Sequence, residues 1–243
     1  MSESVVLVVA TLASLFVASF TQGVTGFGFG MVAMALLPLF SDVRQASIII
    51  GIFSLVTTGS VLLSVRRHFA WRDYLWPTLG MFGGIPLGVY ALVLLDGDVI
   101  RRLVGVAILI ACIQMLLPSG RRARVVSWPW ALAAGFTSGI LGGAFGIGGP
   151  PVIAYASLQN WESPRYKAML CSFFATSNLY RIIIMLGAGL ITREIAVRFL
   201  WGLPAVLIGV MAGIAMFGRL SRDSFRRIVV VTLIVLALTL LVL

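Results

Sequence analysis

Six stretches of this chain are about as long and as apolar as a bilayer-spanning helix requires, which is about 20 residues. They lie near 45–65, 74–95, 99–118, 167–188, 196–217 and 223–243. Two more apolar segments, 5–40 and 127–159, are too long for one crossing and are interrupted by glycine-rich breaks. Hydrophobic residues make up 60% of the chain and charged residues only 11%, with mean hydropathy +1.08. A soluble domain carries about 25% charged residues. With so few charges the chain cannot cover a water-facing surface, so the fold class expected is all-α. That fold is a polytopic membrane helix bundle of eight long segments and up to ten helices, forming a single domain over 1–243. The apolar N-terminal stretch lacks a basic leader region and reads as a first membrane helix, not a removable signal.

The breaks are Thr21–Gly30 and Gly139–Pro151. Glycine permits backbone conformations closed to other residues, and Pro150 and Pro151 suit the first turn of a helix. Each break therefore reads as helix, glycine turn, new helix. The pieces are short, giving either two short crossings or a re-entrant hairpin. The two breaks also resemble each other. Phe20-Thr21-Gln22-Gly23-Val24 aligns with Phe136-Thr137-Ser138-Gly139-Ile140, and Phe27-Gly28-Phe29-Gly30 with Phe145-Gly146-Ile147-Gly148. Leu75-Trp76, Gly84, Gly88 and Asp98 with Arg101-Arg102 then align, in order, with Leu200-Trp201, Gly209, Gly213 and Asp223 with Arg226-Arg227. An internal duplication follows, with halves near 1–122 and 123–243.

Charge placement orients the halves. The net charge of +10 is spread in short clusters between apolar runs, as the positive-inside rule demands, so no nucleic-acid partner is expected. If each broken segment makes no net crossing or two, loops 66–73, 118–127, 159–167 and 218–227 share one face with 12 Lys/Arg. The other face then holds 5, and Arg181 is the remaining one of 18. If each crosses once, the faces hold 8 and 9. The first distribution obeys the rule, so inverted repeats are expected, with both termini outside the cytoplasm. Inverted repeats with broken helices at matching positions point to a transport site near the midplane, where irregular backbone faces protein or water.

The chemistry of that site is anionic. All eight acidic residues fall near loops or helix ends, which argues against a carboxylate-built cation site or proton relay. Arg181 sits deep in an apolar run, and Asn178 lies one helical turn before it on the same face. Gly28, Gly30, Gly146, Gly148 and Gly149 bring backbone N–H groups at helix starts close to a ligand. Gln22, Thr25 and Ser138 add uncharged hydrogen-bonding groups, as do Thr137, Ser172 and Ser177. Packing offers an alternative for the glycines and the polar groups alike. Cys112 and Cys171 lack metal-ligand spacing, His68 lies in a basic loop, and no metal or cofactor is expected. There is neither an H-E-x-x-H nor a G-x-S-x-G motif, which excludes the common intramembrane hydrolases. An accessory membrane subunit without transport of its own is the alternative function.

Gly142-Gly143-Ala144-Phe145-Gly146-Ile147-Gly148-Gly149-Pro150-Pro151, with Thr25-Gly26-Phe27-Gly28-Phe29-Gly30 in the other half, resembles the TauE/SafE sulfite exporter family, also called the toluenesulfonate uptake permeases. The resemblance covers nearly the whole chain. It implies a multi-pass inner-membrane protein moving sulfite, sulfoacetate or organosulfonates. It also implies Gly28, Gly30, Gly146, Gly148, Gly149 and Pro150 as substrate-loop positions. Where many members carry three glycines, this chain has Gly148-Gly149-Pro150, one N–H fewer. The expected partners are a small anion and the bilayer, with a homodimer left open. With the cell interior negative, a monovalent anion gains about 2.3 kcal/mol per 100 mV on leaving, which favours export.

Overall fold

A computed structural model describes residues 3–116, 127–159, 161–216 and 222–242. The described residues form ten α-helices and no strand, an all-α bundle. The first five are α1 (Glu3–Thr25), α2 (Phe29–Leu36), α3 (Val43–Val65), α4 (Trp71–Leu94) and α5 (Gly97–Leu116). The second five are α6 (Trp128–Phe145), α7 (Gly149–Leu158), α8 (Ser163–Gly187), α9 (Arg193–Met216) and α10 (Arg222–Val242). A single 3₁₀ turn, Leu37–Leu39, extends α2, and another, Arg66–His68, follows α3. Basic loop residues Arg121, Arg122, Arg124 and Arg219, and the expected boundary between halves, lie outside the described residues.

Five helices are long and apolar enough to cross a membrane: Val6–Thr25, Val43–Leu63, Trp71–Leu94, Pro164–Gly187 and Arg193–Met216. This makes the chain a multi-pass membrane protein. The expected spans at 99–118 and 223–243 are not among the five, and the apolar part of α10, Val229–Leu241, is shorter. Most helices begin two to four residues before their apolar run. Trp71-Arg72-Asp73, Ser163-Pro164-Arg165 and Arg193-Glu194 are helical first turns, where acidic groups meet the positive helix end and proline needs no N–H. Asp42 starts α3 by accepting from the amides of Arg44 at 2.9 Å and Gln45 at 3.0 Å, an N-cap.

Both broken segments fold as helix, turn, helix. Their pieces are unequal, however, where both were expected to be short. At 1.5 Å per residue, α1 is about 34 Å long and α2 about 12 Å; α6 is about 27 Å and α7 about 15 Å. The reason is local. No residue before Gly26 needs a positive φ, so α1 runs unbroken to the turn. Neither α2 nor α7 spans a hydrocarbon core of about 30 Å.

Packing follows a pattern of exchange. α1 lies on α9 and α6 lies on α4, while α3 packs on α8 and α5 on α10. The α4–α6 contact is backbone against backbone. A Cβ on Gly80, Gly84 or Gly88 would overlap the carbonyls of Leu132, Phe136 or Ile140. The α1–α9 contact repeats this at Gly213, against the Phe20 carbonyl. Small residues at such positions let helices approach closely where lipid supplies no hydrophobic drive.

Candidate anion site

The two glycine turns meet. Gly30 lies so close to the Gly146 carbonyl oxygen that any side chain on it would overlap that atom. Around this contact is a small cleft of about 40 Å³. Gln22 and Phe27–Met31 line it from one hairpin, and Gly142 and Gly146–Gly149 from the other. The remaining wall comes from Ser54 and Thr58 of α3 and from Phe174, Ser177 and Asn178 of α8. The lining holds no charged side chain.

Each hairpin is stapled by a polar side chain from its first helix. Gln22 Oε1 accepts from the Phe29 amide at 3.0 Å, while Nε2 donates to Gly26 O at 3.3 Å and Thr58 Oγ1 at 3.4 Å. Ser138 Oγ accepts from the Val152 amide at 2.9 Å. Thr25 Oγ1 accepts from the Phe27 amide at 3.2 Å and donates to Thr21 O at 2.8 Å. Gly28 has φ 104° and Gly146 φ 71°, in the left-handed region that costs other L-residues about 1–2 kcal/mol.

The helix starts differ in what they offer. α2 begins at Gly28 and α7 at Gly148, neither with a side-chain cap. In α2, Gln22 takes the Phe29 amide, and Gly30 and Met31, the next residues of the first turn, line the cleft. In α7, Pro150 and Pro151 have no N–H and Ser138 takes the Val152 amide. Gly149 remains. The expected pair of equivalent N–H clusters is therefore lopsided toward α2.

Eight of the expected site residues line the cleft: Gln22, Gly28, Gly30, Gly146, Gly148, Gly149, Ser177 and Asn178. Thr25, Ser138, Pro150 and Arg181 stand behind it. Arg181 is 1% exposed. Its Nε donates to Gly143 O at 3.0 Å and its Nη2 to Ser47 Oγ at 2.6 Å, and Ser47 Oγ donates to Ala144 O at 2.8 Å. These carbonyls belong to the last turn of α6, the negative end of the helix. The guanidinium thus caps α6 immediately before the Gly146 turn. Its Nη1 has no hydrogen-bond partner among the described residues and lies 3.3 Å from where a Gly146 Cβ would stand. One turn of backbone separates this cation from the cleft.

Ser54 and Thr58 were missed in the sequence. They are one helical turn apart in a segment that reads as an ordinary apolar span. Two hydroxyls spaced to share one face of α3 are the signal that could have found them.

With this geometry in hand, residues 11–240 match the family described as Sulfite exporter TauE/SafE. The chain is also similar to a probable sulfite/organosulfonate exporter TauE from Cupriavidus necator, 23% identical over 200 residues, covering 80% of this chain and 78% of that protein. No solved structure matches. A match spanning nearly the whole chain, both glycine turns included, shows that the protein belongs to the sulfite exporter TauE/SafE family of membrane transporters and is not an enzyme.

Proposed function

We propose that this protein moves a sulfur-containing oxyanion, such as sulfite, sulfoacetate or an organosulfonate, across the cytoplasmic membrane, outward in the favoured direction. The cleft at the meeting of the two glycine turns is its binding site. The observation that carries this reading is the cleft's lining: the side chains of Gln22, Ser54, Thr58, Ser177 and Asn178 and the glycine backbones, set among Phe27, Phe29, Met31, Ile147 and Phe174, with no carboxylate to repel an anion. Neutral donors suit a ligand that must be held and then released. Arg181 supplies positive potential through one turn of backbone, where low dielectric strengthens it. The similarity to a probable exporter supports the direction.

The two halves are read as inverted repeats. The exchange of packing partners supports the repeat, with α1 on α9 answered by α6 on α4, and the distribution of basic residues between the loops supports its inversion. The shared task of Gln22 and Ser138, aligned positions that each staple a hairpin, also supports the repeat.

The test is uptake of a labelled sulfonate into proteoliposomes, with sulfite and other sulfonates as competitors. Saturable flux that weakens in Asn178→Ala and Ser54→Ala proteins of unchanged thermal stability supports the site. Absence of flux for every anion would sink the reading and favour an accessory subunit.

A further inference from the structure

We infer that the cleft takes its oxyanion only in a singly charged form, hydrogensulfite or a monosulfonate, and turns away dianions. The inference rests on the anion reading above and narrows its substrate class by charge. A cleft of about 40 Å³ has room for about three waters, so an anion entering it leaves most of its hydration shell behind. The cost of that step grows as the square of the charge, about four times higher for a dianion than for a monoanion. Attraction to a fixed cation only doubles. Counter-charges in the wall would have to make up the difference.

The wall holds none. Six helices and the two glycine turns contribute to the lining, and no lining residue has an ionisable side chain. Three ionisable residues of α8 touch the turns from behind. Cys171 Sγ lies 3.7 Å from Gly26 O. Lys167 rests on Gly26 through its carbon chain and has an interaction of its own. Arg181 stands behind Gly146, and backbone walls it off on two sides. Its unpartnered Nη1 lies 2.7 Å from where a Gly51 Cβ would stand and 3.3 Å from the corresponding point on Gly146. Arg181 therefore acts on the cleft as a potential and not as a ligand, and its two printed hydrogen bonds go to Gly143 O and Ser47 Oγ.

The uncharged groups fit a protonated or capped head group. Hydroxyls and carboxamides, as at Ser54, Ser177 and Asn178, accept hydrogen bonds as well as donate them. The acidic hydrogen of hydrogensulfite thus has acceptors, which a dianion would leave unused. Phe27 and Phe174 give an uncharged substituent, such as a methyl group, an apolar wall.

The test uses the wild-type protein in proteoliposomes at equal pH inside and out, with leak through protein-free vesicles subtracted. Sulfite, whose second ionisation lies near neutral pH, is the titrating probe. Methanesulfonate, singly charged throughout, reports any titration of the protein itself. Above that ionisation the half-saturation concentration of total sulfite, relative to that of methanesulfonate, should rise about tenfold per pH unit, as the singly charged fraction falls. Methylphosphonate has the shape of methanesulfonate and carries one charge in acid and two in alkali. It should compete with methanesulfonate in acid and cease to compete in alkali. If sulfite keeps a constant ratio to methanesulfonate across the range and methylphosphonate competes equally in both forms, the charge inference is wrong and the anion reading stands. If neither sulfite nor methanesulfonate is transported at any pH, the anion reading itself fails.

Discussion

Three glycines around the cleft are required for three different reasons, and alanine separates them. At Gly30 a Cβ would overlap the Gly146 carbonyl oxygen. That atom is backbone and cannot rotate away, so Gly30→Ala should abolish flux. At Gly28 a Cβ would fit in ordinary contact, the nearest atom being 3.7 Å away, but φ is 104°. Gly28→Ala should cost about 1–2 kcal/mol, visible as a lowered melting temperature in detergent. At Gly149 a Cβ would meet the tip of Ile153 at 3.1 Å. That side chain can turn, so Gly149→Ala should fold normally and show its effect in substrate affinity alone. Arg181 makes a sharper case. Hydrogen bonds to charged groups contribute about 1.5–3 kcal/mol each, and its Nε and Nη2 make two. Arg181→Ala should therefore lower thermal stability well beyond Ser47→Ala. Arg181→Lys keeps the charge without the planar fork that reaches both Gly143 O and Ser47. We expect it to lose most flux; full flux in that variant would show that charge alone matters there.

At the scale of helices, the sequence made the breaks legible because glycine and proline act locally. Gly28 and Gly146 announce positive φ, and Pro150-Pro151 announce a helix start. Helix starts were read late because an apolarity count discards polar first turns, as at Trp71-Arg72-Asp73. The walls of the cleft were harder to read. Ser54 and Thr58 join the glycine turns only because α3 packs against α8, a long-range contact that no local pattern encodes. Arg181 was singled out for its depth, but depth alone could not show that it faces the end of α6. The orientation of the helices has its own test. Cysteines at Glu162, just before α8, and at Arg193, the first residue of α9, both exposed, should react with an impermeant maleimide from opposite sides of the membrane. The Glu162→Cys site should react from the cytoplasmic side. Labelling of Arg193→Cys from the cytoplasm would overturn the inverted arrangement.

For the whole molecule, the uncharged lining governs energetics. A monovalent anion leaving a negative interior gains about 2.3 kcal/mol per 100 mV, which sustains roughly a fifty-fold gradient with no coupling ion. In proteoliposomes, an inside-negative diffusion potential should therefore accelerate methanesulfonate efflux. An unaltered rate would mean that a compensating charge travels with each anion. The contact between Gly30 and the Gly146 carbonyl carries a further consequence. Two hairpins that touch through bare backbone behave like meshed gears, with no flexible side chain to absorb slack. A displacement of α2 large enough to open the cleft must push on the end of α6, where Arg181 and Ser47 hold it. The motion of one hairpin is thereby delivered to its counterpart, so the two cannot open independently.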